Sequence, residues 1–431
     1  MGSVTVPGGN GTSLNLNFNT SDNASFQNTL LSSFAATFAS TNLYTSLDPT
    51  APSSNPTQPS IFVVNPTLSP SITGSPIALA PGFNGVINNA TGNSTIQGNN
   101  GFNQSIVSGS GNMTFYAGKG ESGSLAAAGG SNTFMGPSSG GGNWTLLFDG
   151  SGNNMIVAGS GNDMIQDSSG QSNTIYLGTG ADTLGAFGSD TIVASSGQDT
   201  VFLNGSSGNN AIVYGGSGAL EVVDNSGAGT VMGGSGPETI FATAGGGGVY
   251  NSGQGAFTTL IANGNDTVNV GSGMNTVVAF GGANGDVMLT GGGIGNILVA
   301  TAGNTTLNAS GSSGADILFN SAGAGNAATL MGGSYWNYLV GGAGDATMAG
   351  GAGTNFFQFV NGHSGGSDLI TGWNANDQID LYNYGYSTAP GGSQPTETAS
   401  GSSTVISLSD GTKITVSGVS SSTVSGHIHY G

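Results

Sequence analysis

The sequence predicts an all-β fold, a right-handed parallel β-solenoid of the β-roll kind, and three observations carry that prediction. Between Asp149 and Val201 one unit repeats: a glycine turn, an Asp or Asn, a small or polar residue, then a large apolar one. The anchoring glycines Gly152, Gly161, Gly170, Gly180, Gly188 and Gly197 recur at eight to ten residues. That period is too short for a helical hairpin and suits one short strand plus one tight turn, so two units close a coil of roughly 18 residues. The apolar positions Ile156, Ile165, Ile175, Leu184, Ile192 and Val201 fall once per unit. Coils stacked at about 4.8 Å turn them into continuous internal ladders.

The acidic positions stack as well, because every second turn lies on the same edge. One edge is expected to carry Asp163, Asp182 and Asp199, the other Asn173, Asp190 and Asn210. Like charges stacked so closely repel, and a hard divalent cation between turns removes the repulsion. Carboxylate oxygens with turn carbonyls are the donors calcium prefers. Calcium is therefore the expected cofactor, with Asp163, Asp182, Asp190, Asp199, Asp266, Asp286, Asp316 and Asp368 as ligands. The competing reading of each is a turn Asp bonded to backbone. Asn stands in the same place at Asn154, Asn210, Asn275 and Asn296, where an uncharged hydrogen-bonded ladder is expected instead.

Composition narrows the class. The chain has 431 residues, 82 glycines, no cysteine, a net charge of −19, and two basic residues, Lys119 and Lys413. So few cations argue against nucleic acid as a partner and against an anionic membrane surface. No apolar run approaches the roughly 18 residues of a membrane span, so membrane insertion is not expected. Without disulfides, a metal is the expected staple for a secreted fold. The first residues lack the basic and apolar regions of a secretory signal peptide, so export is expected to depend on the C-terminus.

Four segments follow from the pattern. Residues 1–47 read as an N-terminal strand-plus-helix element, a cap or an assembly element. Val4, Val6, Leu14, Leu16 and Phe18 alternate with polar residues, and Phe26, Leu30, Leu31, Phe34 and Phe38 share one helical face. Residues 48–82 hold eight of the thirteen prolines and read as a linker or strap, within which IFVVN (61–65) reads as one strand added to an edge. Residues 83–366 are the glycine-rich solenoid, in which Phe202, Tyr214, Phe241, Phe280, Phe319 and Phe357 read as core. The aromatic run 334–342 reads as buried stacking too. Residues 367–431 read as a C-terminal β cap, with a hairpin around Asp410–Gly411.

The segments GSGND (159–163), GTGAD (178–182) and NGND (263–266) resemble the GGxGxDxUx nonapeptide of the repeats-in-toxin (RTX) proteins. The tail, SDLITGWNANDQIDLYNY (367–384) and STVISLSDGTKITVSGV (403–419), resembles the C-terminal segment of RTX proteins exported by type I secretion. The resemblance implies calcium binding, a secreted or cell-surface location and a type I export signal in 367–431. Enzymes of that group carry a large catalytic domain ahead of the repeats, whereas only about 80 residues precede them here. Gly362-His363-Ser364-Gly365-Gly366 matches a G-x-S-x-G elbow, but no helix is expected after it. No catalytic residue is therefore expected. The reading is a structural protein that self-assembles, its partner a second copy of itself, into a surface layer, filament or biofilm matrix. The alternatives are a monomeric adhesin binding ice or a cell-surface glycan and, last, a truncated RTX hydrolase.

Overall fold

The computed structural model describes residues 2–7, 13–18, 42–45, 60–64 and 76–431, apart from 89, 169, 206–209, 244–245, 255–256, 264, 281–286, 291–292 and 322. It is nearly all strand, and its parallel strands stack into a β-solenoid of about 14 turns, the fold class the repeat predicts. The helix expected between Asp22 and Ser40 lies outside the described residues. The chain divides into two compact units, Met1–Val222 and Val223–Gly431.

In the first unit each coil gives one strand to each of two parallel sheets. Sheet 1 runs through Asn42–Thr45, Ser60–Val64, Phe83–Asn88, Asn103–Ser108, Ser122–Ala127, Trp144–Phe148, Met164–Asp167, Thr183–Ala186 and Gln198–Leu203. Sheet 2 runs from Ile77–Ala78 through Met155–Val157, Thr174–Tyr176 and Thr191–Val193 to Ile212–Tyr214. The segment 61–65, which reads as one strand added to an edge, lies in Ser60–Val64 of sheet 1, paired with Asn42–Thr45 on one side and Phe83–Asn88 on the other. Gly2–Pro7 and Ser13–Phe18 form a separate antiparallel pair, with Val4 opposite Leu16 and Val6 opposite Leu14.

Between the sheets lie the predicted ladders. Leu146, Ile165, Leu184 and Val201 are in register on one side, Phe134, Ile156, Ile175 and Ile192 on the other, all buried. Each such side chain contributes roughly 1.5–3 kcal/mol by leaving water. The turns stack as tightly as the strands. A Cβ at Gly161 would lie 1.9 Å from the Gly142 carbonyl oxygen, and one at Gly180 would lie 1.6 Å from that of Gly161. The repeat's glycine is there because backbone stacks directly on backbone.

The second unit continues the same two-sheet pattern. Its sheet 1 includes Met274–Ala279, Gly295–Ala300, Ala315–Asn320, Asn337–Val340 and Asn355–Val360. It closes on Gln378–Tyr382 and a last parallel strand, Ile428–Tyr430. Its sheet 2 ends with Ser367–Thr371 and Lys413–Val416 in parallel. Ser403–Ser407 and Thr396–Ser400 then follow antiparallel. The hairpin expected at Asp410–Gly411 is present, and Asp410 Oδ1 accepts the Thr412 N–H at 3.0 Å. One helix, Ser421–Val424, precedes the last strand.

Strand parity corrects the reading of the large residues. Phe357 is fully buried, but Tyr214, Phe280 and Phe319 are exposed, and Phe202 and Phe241 are half-buried. Val213, Ala279 and Leu318 take the inward places, so the next residue points out. The same rule turns Tyr338 outward to stack on Phe356 at 4.6 Å, and Tyr335 and Trp336 are exposed in the turn that precedes that strand, where buried stacking was expected.

Candidate functional site: an internal ladder of carboxylates and amides

The acidic residues are inside. Glu121, Asp163, Asp167, Asp182, Asp190, Asp199, Asp224, Glu238, Asp266, Asp316, Asp368, Asp377 and Asp380 are all buried, thirteen of the chain's twenty-one acids. Parity explains most of this: an Asp two residues before an inward apolar residue shares its face. Asp163 precedes Ile165 in this way, Asp182 precedes Leu184, Asp190 precedes Ile192 and Asp199 precedes Val201. No buried cation offsets them, since Lys119 and Lys413 are both exposed. Burial of uncompensated carboxylates is costly, and such groups hold on to protons.

At the repeat positions one oxygen accepts a main-chain amide of the coil before. Trp144 N–H donates to Asp163 Oδ1 at 2.6 Å, Asp163 N–H to Asp182 Oδ1 at 2.8 Å, and Asp182 N–H to Asp199 Oδ1 at 3.2 Å. On the other edge Asn132, Asn154 and Asn173 give the same contact through N–H groups directed at Asn154, Asn173 and Asp190 Oδ1, at 2.9, 2.6 and 2.8 Å. The second unit repeats it: Asn296 N–H meets Asp316 at 3.1 Å, and Ala346 N–H meets Asp368 at 2.9 Å. Asn355 N–H likewise meets Asp377 at 3.1 Å. Successive rungs lie 17 to 22 residues apart, so coil length varies while the contact is kept. The first edge holds Asp163, Asp182 and Asp199 in register as the sequence implied. On the second edge Ile212 N–H bonds Asp190 O and pairs Ala211, not Asn210, with Asp190; Asn210 is exposed.

The predicted calcium ligands separate into two kinds. Asp182, Asp190, Asp199 and Asp266 have both oxygens engaged by main-chain N–H groups. Their Oδ2 atoms accept from Gly178, Gly188, Ser195 and Asn263. N–H hydrogens facing an oxygen disfavour a cation there, so this set does not suit calcium. Asp163, Asp316 and Asp368 differ. Oδ2 of each is buried with no hydrogen-bond partner, as is Oε1 of Glu121. Orphaned, hydrogen-free carboxylate oxygens are hard donors, and these positions suit a divalent cation. Among the described residues no three His, Cys, Asp or Glu side chains converge as a metal cluster. Asp286 lies outside the described residues.

Burial raises the carboxyl pKa values. It lifts Asp163 to about 7, helped by neighbouring Asp182 and opposed by the Trp144 N–H. It lifts Asp199 to about 6, Asp368 to about 8 and Glu121 to about 8. Asp182, Asp190, Glu238, Asp316 and Asp377 are raised for the same first reason, burial.

Six of the buried acids lie outside the predicted set: Glu121, Asp167, Asp224, Glu238, Asp377 and Asp380. Glu238 takes the repeat position, two before Ile240, and accepts from Gly253 N–H at 3.0 Å and from Gly234 N–H. Asp377, two before Ile379, follows the same signal. Asp224 gathers Ser226, Gly227 and Gly229 N–H groups and the Tyr250 hydroxyl at 2.8 Å, a set no spacing announces. Glu121 closes its own turn at Gly118 N–H. Ser364, in the elbow-like segment, accepts the Val360 N–H through Oγ at 2.8 Å within a turn. The fold and these rungs define a β-solenoid with an internal carboxylate–amide ladder. No family model matches the chain, and no curated protein matches it.

Proposed function

We propose that this is a secreted, non-enzymatic structural protein that folds outside the cell with calcium and then associates with copies of itself. One observation supports the reading above the others: the acids of a chain with net charge −19 are mostly folded inside. The outer faces are left with Thr, Val, Ile and aromatic ranks, which approach a like surface without strong repulsion. Asp163, Asp316 and Asp368 are the residues that would hold calcium, and bound calcium supplies the positive charge those buried oxygens lack. The chain's own contribution is the rest of the ladder, in which side-chain oxygens tie each coil to its predecessor. The RTX-like tail supports export through the C-terminus.

Electron microscopy and sedimentation of the purified chain, with calcium and with chelator, test this reading. Calcium-dependent assemblies are expected. A chain that remains monomeric through a calcium titration at high concentration overturns it.

A further inference from the structure

The second unit's outer face of sheet 1 carries a knob and a hole of the same character. Gly295 pairs with Ala315 on the outward side, Met274 and Trp336 line the same depression, and Thr276, Ile297, Ile317 and Tyr338 form the next outward rank. Gly295 and Ala315 have almost no side chain, so the surface sinks between Met274 and Trp336 into a trough of about 420 Å³ flanked by Ile297 and Ile317. Beside the trough Trp336 is 40% exposed, with Tyr335 at 54%. Every outward strand position of this face from Thr239 to Gln358 is uncharged. It offers no counter-charge for an ionic partner.

We propose that this face binds the same face of a second copy of the chain across a two-fold axis, each Trp336 entering the partner's trough over Gly295 and Ala315. A two-fold interface must be self-complementary, and a partly exposed Trp at the rim of an apolar depression on one surface meets that requirement. Desolvated Trp side chains seated in apolar pockets carry a large part of binding energy at interfaces. With the acids buried, two such faces meet without like-charge repulsion. The proposal rests on the self-association reading above and names its surface.

Sedimentation velocity of the full chain in calcium, across a concentration series, tests it. Trp336→Ala removes the knob and Ala315→Phe fills the hole; each is expected to weaken association by about tenfold or more. An equimolar mixture of the two variants retains one intact knob-in-hole contact, so partial recovery is expected, which a misfolded variant would not give. Variants that associate as tightly as the wild type, or lose association with no recovery on mixing, overturn this face while self-association stands. A wild-type chain that is monomeric at every concentration overturns both.

Discussion

The two turn edges of the first unit do one job with two chemistries. On one edge Asn132, Asn154 and Asn173 link coil to coil; on the other Asp163, Asp182 and Asp199 do so. In each case an Oδ1 accepts an N–H from the coil before. Asn adds a donor of its own: Asn132 Nδ2 reaches Gly129 O at 2.8 Å and Asn154 Oδ1 at 3.2 Å. At Asn132 and Asn154 the amide edge is therefore closed with no charge, and carboxyl groups enter it only where Asn173 meets Asp190 and Asp167. Asp has no such donor and brings a titratable group into a buried place. The carboxylates add nothing to coil linkage that Asn lacks, so their distinct property is sensitivity to protons and cations.

The largest test of that difference is pH, without divalent cations. A carboxyl group whose folded pKa is raised holds a proton that the unfolded chain releases near pH 4. Its stabilisation is complete below that value and is lost as pH rises through the folded pKa. For Asp199, Asp163, Asp368 and Glu121 the losses end at about 6, 7, 8 and 8. Each group steepens the decline by up to about 1.4 kcal/mol per pH unit inside its window. Denaturant midpoints measured from pH 4 to pH 8.5 in chelator should fall steadily, by an amount exceeding any single substitution below. Calcium should restore much of the loss at the upper end. A flat profile would mean that these groups stay charged without penalty in the fold.

Next in size is the loss of an amide rung. Asn154→Ala strips the acceptor from the buried Asn132 N–H and leaves a small void. An orphaned buried donor costs about 1–3 kcal/mol, so a loss of roughly 3 kcal/mol is expected. That loss should be the same at pH 5 and pH 8, as measured by urea denaturation, because nothing on this rung titrates. A loss that changes with pH would show the two edges to be energetically coupled.

The repeat made the architecture legible because glycine spacing and apolar spacing agree over many coils. It also placed Asp163, Asp182 and Asp199 on a common edge. What it did not convey is the direction of the carboxylates. Asp-x-Ile reads as turn followed by strand, yet the Asp already obeys the two-residue alternation and faces the same way as the Ile. Tyr214, Phe280 and Phe319 have the size of core residues, but parity places each one step past an inward residue and so outside. Asn210 was misplaced by one position because coil length varies and only the paired strand fixes which residue meets Asp190. Asp224 was illegible for another reason: its partners Ser226, Gly227, Gly229 and Tyr250 converge through a local turn and a neighbouring coil, outside the repeat.

The smallest expected effect separates the two kinds of acid. Asp163→Asn keeps the Oδ1 that receives the Trp144 N–H and removes the charge. At pH 8 without calcium, a carboxyl group raised to about 7 from 3.8 represents roughly 4 kcal/mol of destabilisation that the amide escapes. The new Nδ2 replaces an Oδ2 that had no partner, and an unpaired buried amide costs about 2 kcal/mol. A net gain of about 2 kcal/mol is expected at pH 8, together with a weaker response to calcium. Asp182→Asn should behave otherwise. Its Oδ2 accepts the Gly178 N–H at 2.8 Å, so the amide sets donor against donor, and the gain from lost charge is cancelled with the calcium response unchanged. Thermal melts of both variants, with calcium and with chelator, decide it. Equal behaviour of the two would mean that the orphaned oxygen of Asp163 has no special part in cation binding.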